Sequence, residues 1–272
     1  MTDKHVLIAD SVSIRRGKKA VLKNLSFSLA AGEVMTVIGP NGAGKSTLIA
    51  ALGGSLKENV TTGSVDLAGQ NIYRYSIKEK AQRLAVLSQN TRLDFPFTVA
   101  EVVALGRTPH TTGLEIDEKI VFDVCALLEL DHMLARCYSQ LSGGEQQRVQ
   151  LARVLAQVWQ VNDQSEKKWP RVLLLDEPST ALDLKNQNLL VAAIKTIADQ
   201  GVAVVAVAHD INLALEYSDK FLCMSEGELV ACGNANEVIR AEILEPVFSV
   251  SLTLVPCPHK NTPIVTFLYQ RV

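Results

Sequence analysis

The sequence predicts an α/β protein built on a buried, mostly parallel sheet, and three observations carry that prediction. Short apolar runs at residues 34–38, 172–175 and 202–208 have the length and composition of strands covered on both faces. The first runs straight into Gly39-Pro40-Asn41-Gly42-Ala43-Gly44-Lys45-Ser46-Thr47, with an apolar helix expected behind it. The other two end on charged or polar side chains, Asp176-Glu177 and His209-Asp210, before the next helical pattern.

Composition sets the outer bounds. The chain has 272 residues, 47% of them hydrophobic, enough for one large domain or a core with a lobe. Lys and Arg number 27 against 29 Asp and Glu, so no basic stripe points to nucleic acid and no acidic tail to disorder. No apolar run is long enough to cross a bilayer. The first residues lack a charged-then-apolar signal pattern, so the chain is expected in the cytosol, reaching a membrane only through a partner. The 5 cysteines are scattered, with no CxxC pair, and read as reduced thiols rather than a disulfide frame or zinc site.

Taken in order, residues 5–30 alternate as paired strands, with the basic turn Arg15-Arg16-Gly17-Lys18-Lys19 between them. A turn at 31–33 precedes the strand at 34–38. The loop that follows fits the phosphate-binding pattern G-x-x-x-x-G-K-[ST] in its required setting, strand before and helix after. Its glycines let consecutive N–H groups curl round phosphates. Lys45 is expected to reach the β- and γ-phosphates, and the Ser46 hydroxyl to hold Mg²⁺. Residues 60–90 read as short strands, a turn at Ala68-Gly69, a polar helix near 76–82 and a strand at 84–88 that ends on Gln89.

Residues 98–158 read as helices. Thr98 with Glu101 makes a capping pair, a second amphipathic helix covers 116–130, and a third runs over 146–157 behind Ser142 and Glu145. Phe95 and Phe97 are either a docking surface or part of this lobe's own core. Residues 159–170 read as a polar surface loop.

The run at 172–175 ends in two adjacent carboxylates. At a frayed strand end one acid can face a metal ion and the next a water. Asp176 is expected to hold Mg²⁺, through water, and Glu177 to polarise the attacking water as general base. The plainer alternative is two solvent-facing acids. His209 ends the strand at 202–208, where open α/β sheets bind ligands, and is expected to contact the γ-phosphate. Residues 221–224 and 229–232 flank a turn and read as a hairpin. The tail from 236 adds a helix and strands.

Leu141-Ser142-Gly143-Gly144-Glu145 resembles the signature sequence of ATP-binding-cassette ATPases. Taken alone it is also what any capped surface helix could show. With the other motifs, each present once and in order, the resemblance covers roughly residues 5–245. It implies a P-loop NTPase (RecA-like) α/β core with an antiparallel β subdomain and an inserted α-helical subdomain. Residues 1–272 would form a single ATP-binding domain, with 1–89 and 156–272 as core and 90–155 as the helical lobe. It also implies that Leu141 to Glu145 act on the γ-phosphate held by a partner cassette, that Gln89 touches Mg²⁺, and that Ser179-Thr180-Ala181-Leu182-Asp183 is a loop crossing the dimer interface. Many such cassettes stack an aromatic residue on adenine near position 16. Here Arg16 stands there, and a guanidinium also stacks on a flat ring.

The closer resemblance is to bacterial hemin-import ATP-binding proteins, in the group that also serves iron-siderophore and cobalamin uptake. It rests on residues 94–107, residues 144–157 and the polar insertion before 171. It implies a homodimer beneath a dimeric membrane permease, at the cytoplasmic face of the bacterial inner membrane, with a periplasmic heme-binding protein outside. ATP and Mg²⁺ are the implied cofactors. Siderophore or cobalamin import by the same engine is the alternative. A soluble cassette ATPase of translation or repair would need two cassettes or a long coiled coil, and a P-loop kinase gives no reason for Leu-Ser-Gly-Gly-Glu. Cys257 and His259 form a single pair, too weak a pattern for heme ligation, and a tail strand interrupted by prolines is the plainer reading.

Overall fold

The computed structural model describes residues 5–89, 95–160, 169–180, 182–257 and 262–268. The expectations for Asp94, Ala181, His259 and most of the loop at 159–170 lie outside them. The chain begins with two long strands, β1 (His5–Arg16) and β2 (Lys19–Ala30), paired antiparallel through the basic turn. β3 (Val34–Ile38) is buried along its whole length and feeds the glycine-rich loop and α1 (Lys45–Leu52). β4 (Val60–Leu67) and β5 (Gln70–Asn71) complete a four-stranded antiparallel sheet of order β2-β1-β4-β5.

α2 (Ile77–Arg83) starts at Ser76 in a capping box with Glu79 and delivers β6 (Leu84–Leu87). The lobe then follows. α3 (Val99–Ala104) is capped by the Thr98–Glu101 box. α4 (Leu114–Leu127) starts before the expected 116, and it stops before the expected 130 because Glu129 takes a left-handed φ of 51° that the helix cannot continue through. α5 (Gly143–Val158) starts three residues before the predicted 146, because the Ser142–Glu145 box satisfies its first N–H groups and draws both glycines into the first turn. Buried Arg107 ties the lobe together: Nε donates to Asp117 Oδ1 at 2.8 Å, and its terminal nitrogens donate to Ala156 O at 2.8 Å and Thr112 Oγ1 at 3.0 Å.

The core resumes with β7 (Val172–Asp176), α6 (Leu184–Asp199), β8 (Ala203–Val207) and the short α7 (Ile211–Ala214). β9 (Lys220–Ser225) and β10 (Glu228–Gly233) form the expected hairpin. α8 (Ala235–Val238), α9 (Ala241–Phe248) and a separate hairpin of β11 (Ser251–Val255) and β12 (Ile264–Leu268) end the described chain.

The main sheet has the order β10-β9-β3-β8-β7-β6, parallel except for β10. Its strands carry no apolar/polar alternation, yet their side chains sort with period two. Met35, Val37, Leu174 and Val205 face the antiparallel sheet and α1, whereas Val34, Ile38, Leu173, Leu175 and Val204 face the lobe and α6. Both faces are buried except at the edge strand β10, where Glu228, Val230 and Cys232 are exposed, as the unbroken apolar composition of the inner strands requires. Among the described residues, no helix is long and apolar enough to cross a membrane.

Candidate functional site

Four neighbouring parallel strands, β3, β8, β7 and β6, end on the same edge of the sheet. Their C-terminal ends deliver the glycine-rich loop, His209, the Asp176–Glu177 pair and Gln89. These segments lie up to 170 positions apart in the chain, and the sheet brings them to one place. This is the edge where open α/β sheets bind ligands.

The loop is held open by its glycines and by what packs behind it. Gly44 takes φ 103° as the N-cap of α1, a conformation L side chains rarely adopt. Gly39 lies so close to the chain that a Cβ there would fall 2.2 Å from the Met224 carbonyl oxygen. The turn of the β9–β10 hairpin is stitched to the loop as well: Gly227 N–H donates to Ala43 O at 3.0 Å, and Lys23 N–H donates to Gly227 O at 2.8 Å. Pro40 is half-buried, Asn41 and Gly42 are exposed, and Ala43 and Thr47 are buried. Lys45, 6% exposed, donates from Nζ to Gly39 O at 2.8 Å and Pro40 O at 3.0 Å. An ammonium has three donors, so one remains for a phosphate oxygen. Burial pushes the Lys45 ammonium below its ordinary range, against the opposing pull of the Glu177 and Asp176 charges.

Ser46 Oγ donates to Asp176 Oδ1 at 3.2 Å. Asp176 is 7% exposed, and its carboxyl is pushed up, chiefly by burial and further by the Glu177 charge. The Ser46 hydrogen bond and the Lys45 and His209 charges act in the opposite sense. A hydroxyl and a carboxylate side by side are hard oxygen donors, suited to Mg²⁺. Among the described residues no cluster of three or more His, Cys, Asp or Glu makes a protein-only metal cage. Mg²⁺ does not need one, because it is usually held by one or two carboxylates together with substrate phosphates.

Glu177 takes a left-handed φ of 54°, so the strand end turns sharply between the two acids. That turn sends the Asp176 carboxylate toward Ser46 and the Glu177 carboxylate to a different set of partners. Glu177 Oε1 lies 2.6 Å from His209 Nε2, and Oε2 accepts from Gln89 Nε2 at 2.8 Å. Thr180 Oγ1 also reaches Oε2, at 3.4 Å. Sequence reasoning missed this threonine as a Glu177 neighbour. The two are brought together by a four-residue turn, 177–180, closed by Thr180 N–H on Glu177 O at 3.2 Å.

Leu141 is buried beneath the N-terminus of α5, and Gly143 and Gly144 form its first turn. The Glu145 carboxyl accepts from Ser142 N at 2.8 Å and from Ser142 Oγ at 2.7 Å, which holds it below the usual carboxylate range. The capped helix end is compatible with both readings of this motif, and it presents backbone N–H groups and the positive end of a helix dipole. Gln147 Nε2 bridges from α5 to Pro178 O at 3.5 Å. Ser179 is half-buried, and Leu182 N–H donates to its carbonyl at 3.2 Å. Asp183 is exposed and caps α6, accepting from Asn186 N at 2.8 Å. Arg16 lies at the exposed tip of the β1–β2 hairpin opposite Lys19. Phe95 and Phe97 divide the two readings between them: Phe95 is 66% exposed, and Phe97 packs on the lobe core.

The arrangement can cradle a polyphosphate and place a carboxylate beside its end. Comparison with known proteins agrees with that chemistry. The ABC transporter family profile matches residues 22–180. A hemin import ATP-binding protein of Pseudomonas fluorescens (strain Pf0-1) is 43% identical over 260 residues, covering 96% of this chain and 99% of that protein. A protein of the same description from Gloeobacter violaceus is 41% identical, covering 96% and 93%. Among solved structures, an ATP-binding cassette of an ABC transporter in its ADP conformation superposes with a TM-score of 0.75 at 23% identity, over 90% of this chain and 97% of that one, a likeness of fold.

Proposed function

The chain belongs to the ABC transporter family as an ATP-hydrolysing subunit, and on that premise we propose that the transporter it drives imports heme. The observation that carries the cargo is the near full-length identity of 43% to a protein described as a hemin import ATP-binding protein. The proposed assembly is a homodimer at the cytoplasmic face of the inner membrane, beneath a permease dimer, supplied by a periplasmic heme-binding protein.

The mechanism follows from the site. The glycine-rich loop from Gly39 to Thr47 wraps the phosphates with backbone N–H groups, and the remaining Lys45 donor meets the β- and γ-phosphate oxygens. Ser46, Asp176 and Gln89 would hold Mg²⁺, which when bound neutralises phosphate charge. Glu177 accepts the proton of a water that attacks the γ-phosphate in line. His209 orients the Glu177 carboxylate from one side and Gln89 from the other, and His209 also reaches toward the γ-phosphate. Leu141 to Glu145 of each copy, with Ser179 and Asp183 beside them, close on the nucleotide of the other copy. Arg16 stacks on the adenine.

Reconstitution in liposomes with the permease and binding protein tests this reading. Heme, a ferric siderophore and cobalamin are offered in parallel, with and without internal ATP. ATP-dependent heme uptake that is lost in Glu177→Gln is the expected result. Uptake of a different cargo would overturn heme and keep the engine.

A further inference from the structure

Away from the nucleotide site, a cleft of about 570 Å³ opens between the start of β1, the Ala68–Gly69 turn, α2 and the residues before β7. It shares no residue with the nucleotide site. Its base is Arg83, only 9% exposed. The guanidinium carbon lies 3.8 Å from the centroid of the Trp169 ring and 5.1 Å from that of Tyr75. Aromatic rings therefore cover the cation, as guanidinium stacking favours.

Its edge is another matter. Nε is sealed from solvent with no hydrogen-bond partner, and among the described residues the guanidinium makes no hydrogen bond or salt bridge. The contrast with Arg107 is direct. That arginine is as deeply buried, and Asp117, Thr112 and Ala156 satisfy it. Glu79, four residues earlier on α2, is near enough for the Arg83 charge to help hold its carboxyl low, but its Oε2 accepts from Ser76 N at 2.9 Å in the capping box and it makes no salt bridge with Arg83. A buried guanidinium donor left without a hydrogen bond is costly, and ring faces and a carboxylate beyond salt-bridge distance offset only part of that cost. Arg83 lines the open cleft with two aromatic rings against it, and the planar fork of its terminal N–H donors is the group that takes a carboxylate or phosphate in its own plane.

We propose that this cleft is a second ligand site, which binds a small aromatic oxoanion. The carboxylate or phosphate meets the Arg83 edge, and the ring lies against the exposed part of Trp169. The cleft volume lies within the range of small-molecule sites.

The test uses Trp169 fluorescence in full-length protein carrying Trp159→Phe, with the nucleotide site saturated by a non-hydrolysable ATP analogue. Benzoate and phenyl phosphate are titrated separately, with inorganic phosphate as the ring-free control. Saturable change with either aromatic anion, weakened at least about tenfold in Arg83→Met, supports the proposal. Which of the two binds more tightly assigns carboxylate or phosphate. No saturation with either, or equal affinity in the variant, overturns it. Circular dichroism checks each variant's fold. Where Arg83→Met fails to fold, Arg83→Lys carries the same test, because it keeps the charge and removes the fork. ATP hydrolysis by wild-type protein is expected to be retained in both variants.

Discussion

Glu177 Oε1 lies 2.6 Å from His209 Nε2, so a carboxylate from the end of one strand is held by an imidazole from the end of its neighbour. An ionised carboxylate only accepts, so Nε2 carries the proton. With Gln89 on its other oxygen, the Glu177 side chain has its orientation set from two sides.

Glu177→Gln is expected to keep ATP affinity and to lower hydrolysis by roughly 10²–10⁴-fold, the usual loss for a general base. It should also trap an ATP-bound dimer, visible by size-exclusion chromatography with light scattering. Turnover close to wild type would remove Glu177 from the role of base.

His209→Ala should lower turnover less than Glu177→Gln does. Because His209 acts in large part through Glu177, the double variant should be little worse than Glu177→Gln alone. Fully multiplicative losses in steady-state rates would show that the two residues act independently.

Lys45→Ala should weaken nucleotide binding itself. Charge-assisted hydrogen bonds contribute about 1.5–3 kcal/mol, so the loss should be roughly 10- to 100-fold in Kd by calorimetry. Removing Nζ also frees the Gly39 and Pro40 carbonyls, so the loop should lose order along with affinity. An unchanged Kd would contradict the role given to the loop.

Asp176→Asn should raise the melting temperature in nucleotide-free buffer while abolishing Mg²⁺-dependent hydrolysis. The Asp176 carboxyl is raised in the folded protein, chiefly by burial. As pH rises from about 3.9, the unfolded chain ionises this group first, so stability falls until the raised folded value is passed. Below that window both states hold the proton and the acid costs nothing. The advantage of the variant should therefore open as pH rises and persist at neutrality. A constant gap across melting curves from acid to neutral pH would reject this account.

Cysteine labelling separates the buried thiols from the accessible ones. Burial pushes Cys125 up to about 12 and Cys223 up to about 11, so neither supplies thiolate near neutral pH. Exposed Cys232 and partly exposed Cys137 and Cys257 should react with iodoacetamide in the folded protein, and Cys125 and Cys223 only on unfolding, as peptide mass spectrometry would show.

The sequence alone determined whatever depends on neighbours in the chain. The glycine-rich loop, the adjacent acids at 176 and 177, and the boxes at Thr98 and Ser142 are relationships within a few residues, and all are legible as written. The apolar runs announced buried strands, because only a sheet covered on both faces tolerates them. Tertiary structure decided what those runs could not specify. A strand with no alternation names neither its neighbours nor its faces, so the order β3-β8-β7-β6 and the sorting of Met35 from Val34 came from packing. That order sets His209 beside Glu177 and Gln89 across from it, and it brings a hairpin 180 residues distant against the loop through Gly227. The same holds for Arg83: its charge is plain in the sequence, but that its Nε is buried without a hydrogen-bond partner among the described residues, with Trp169 and Tyr75 against the guanidinium, is decided by packing.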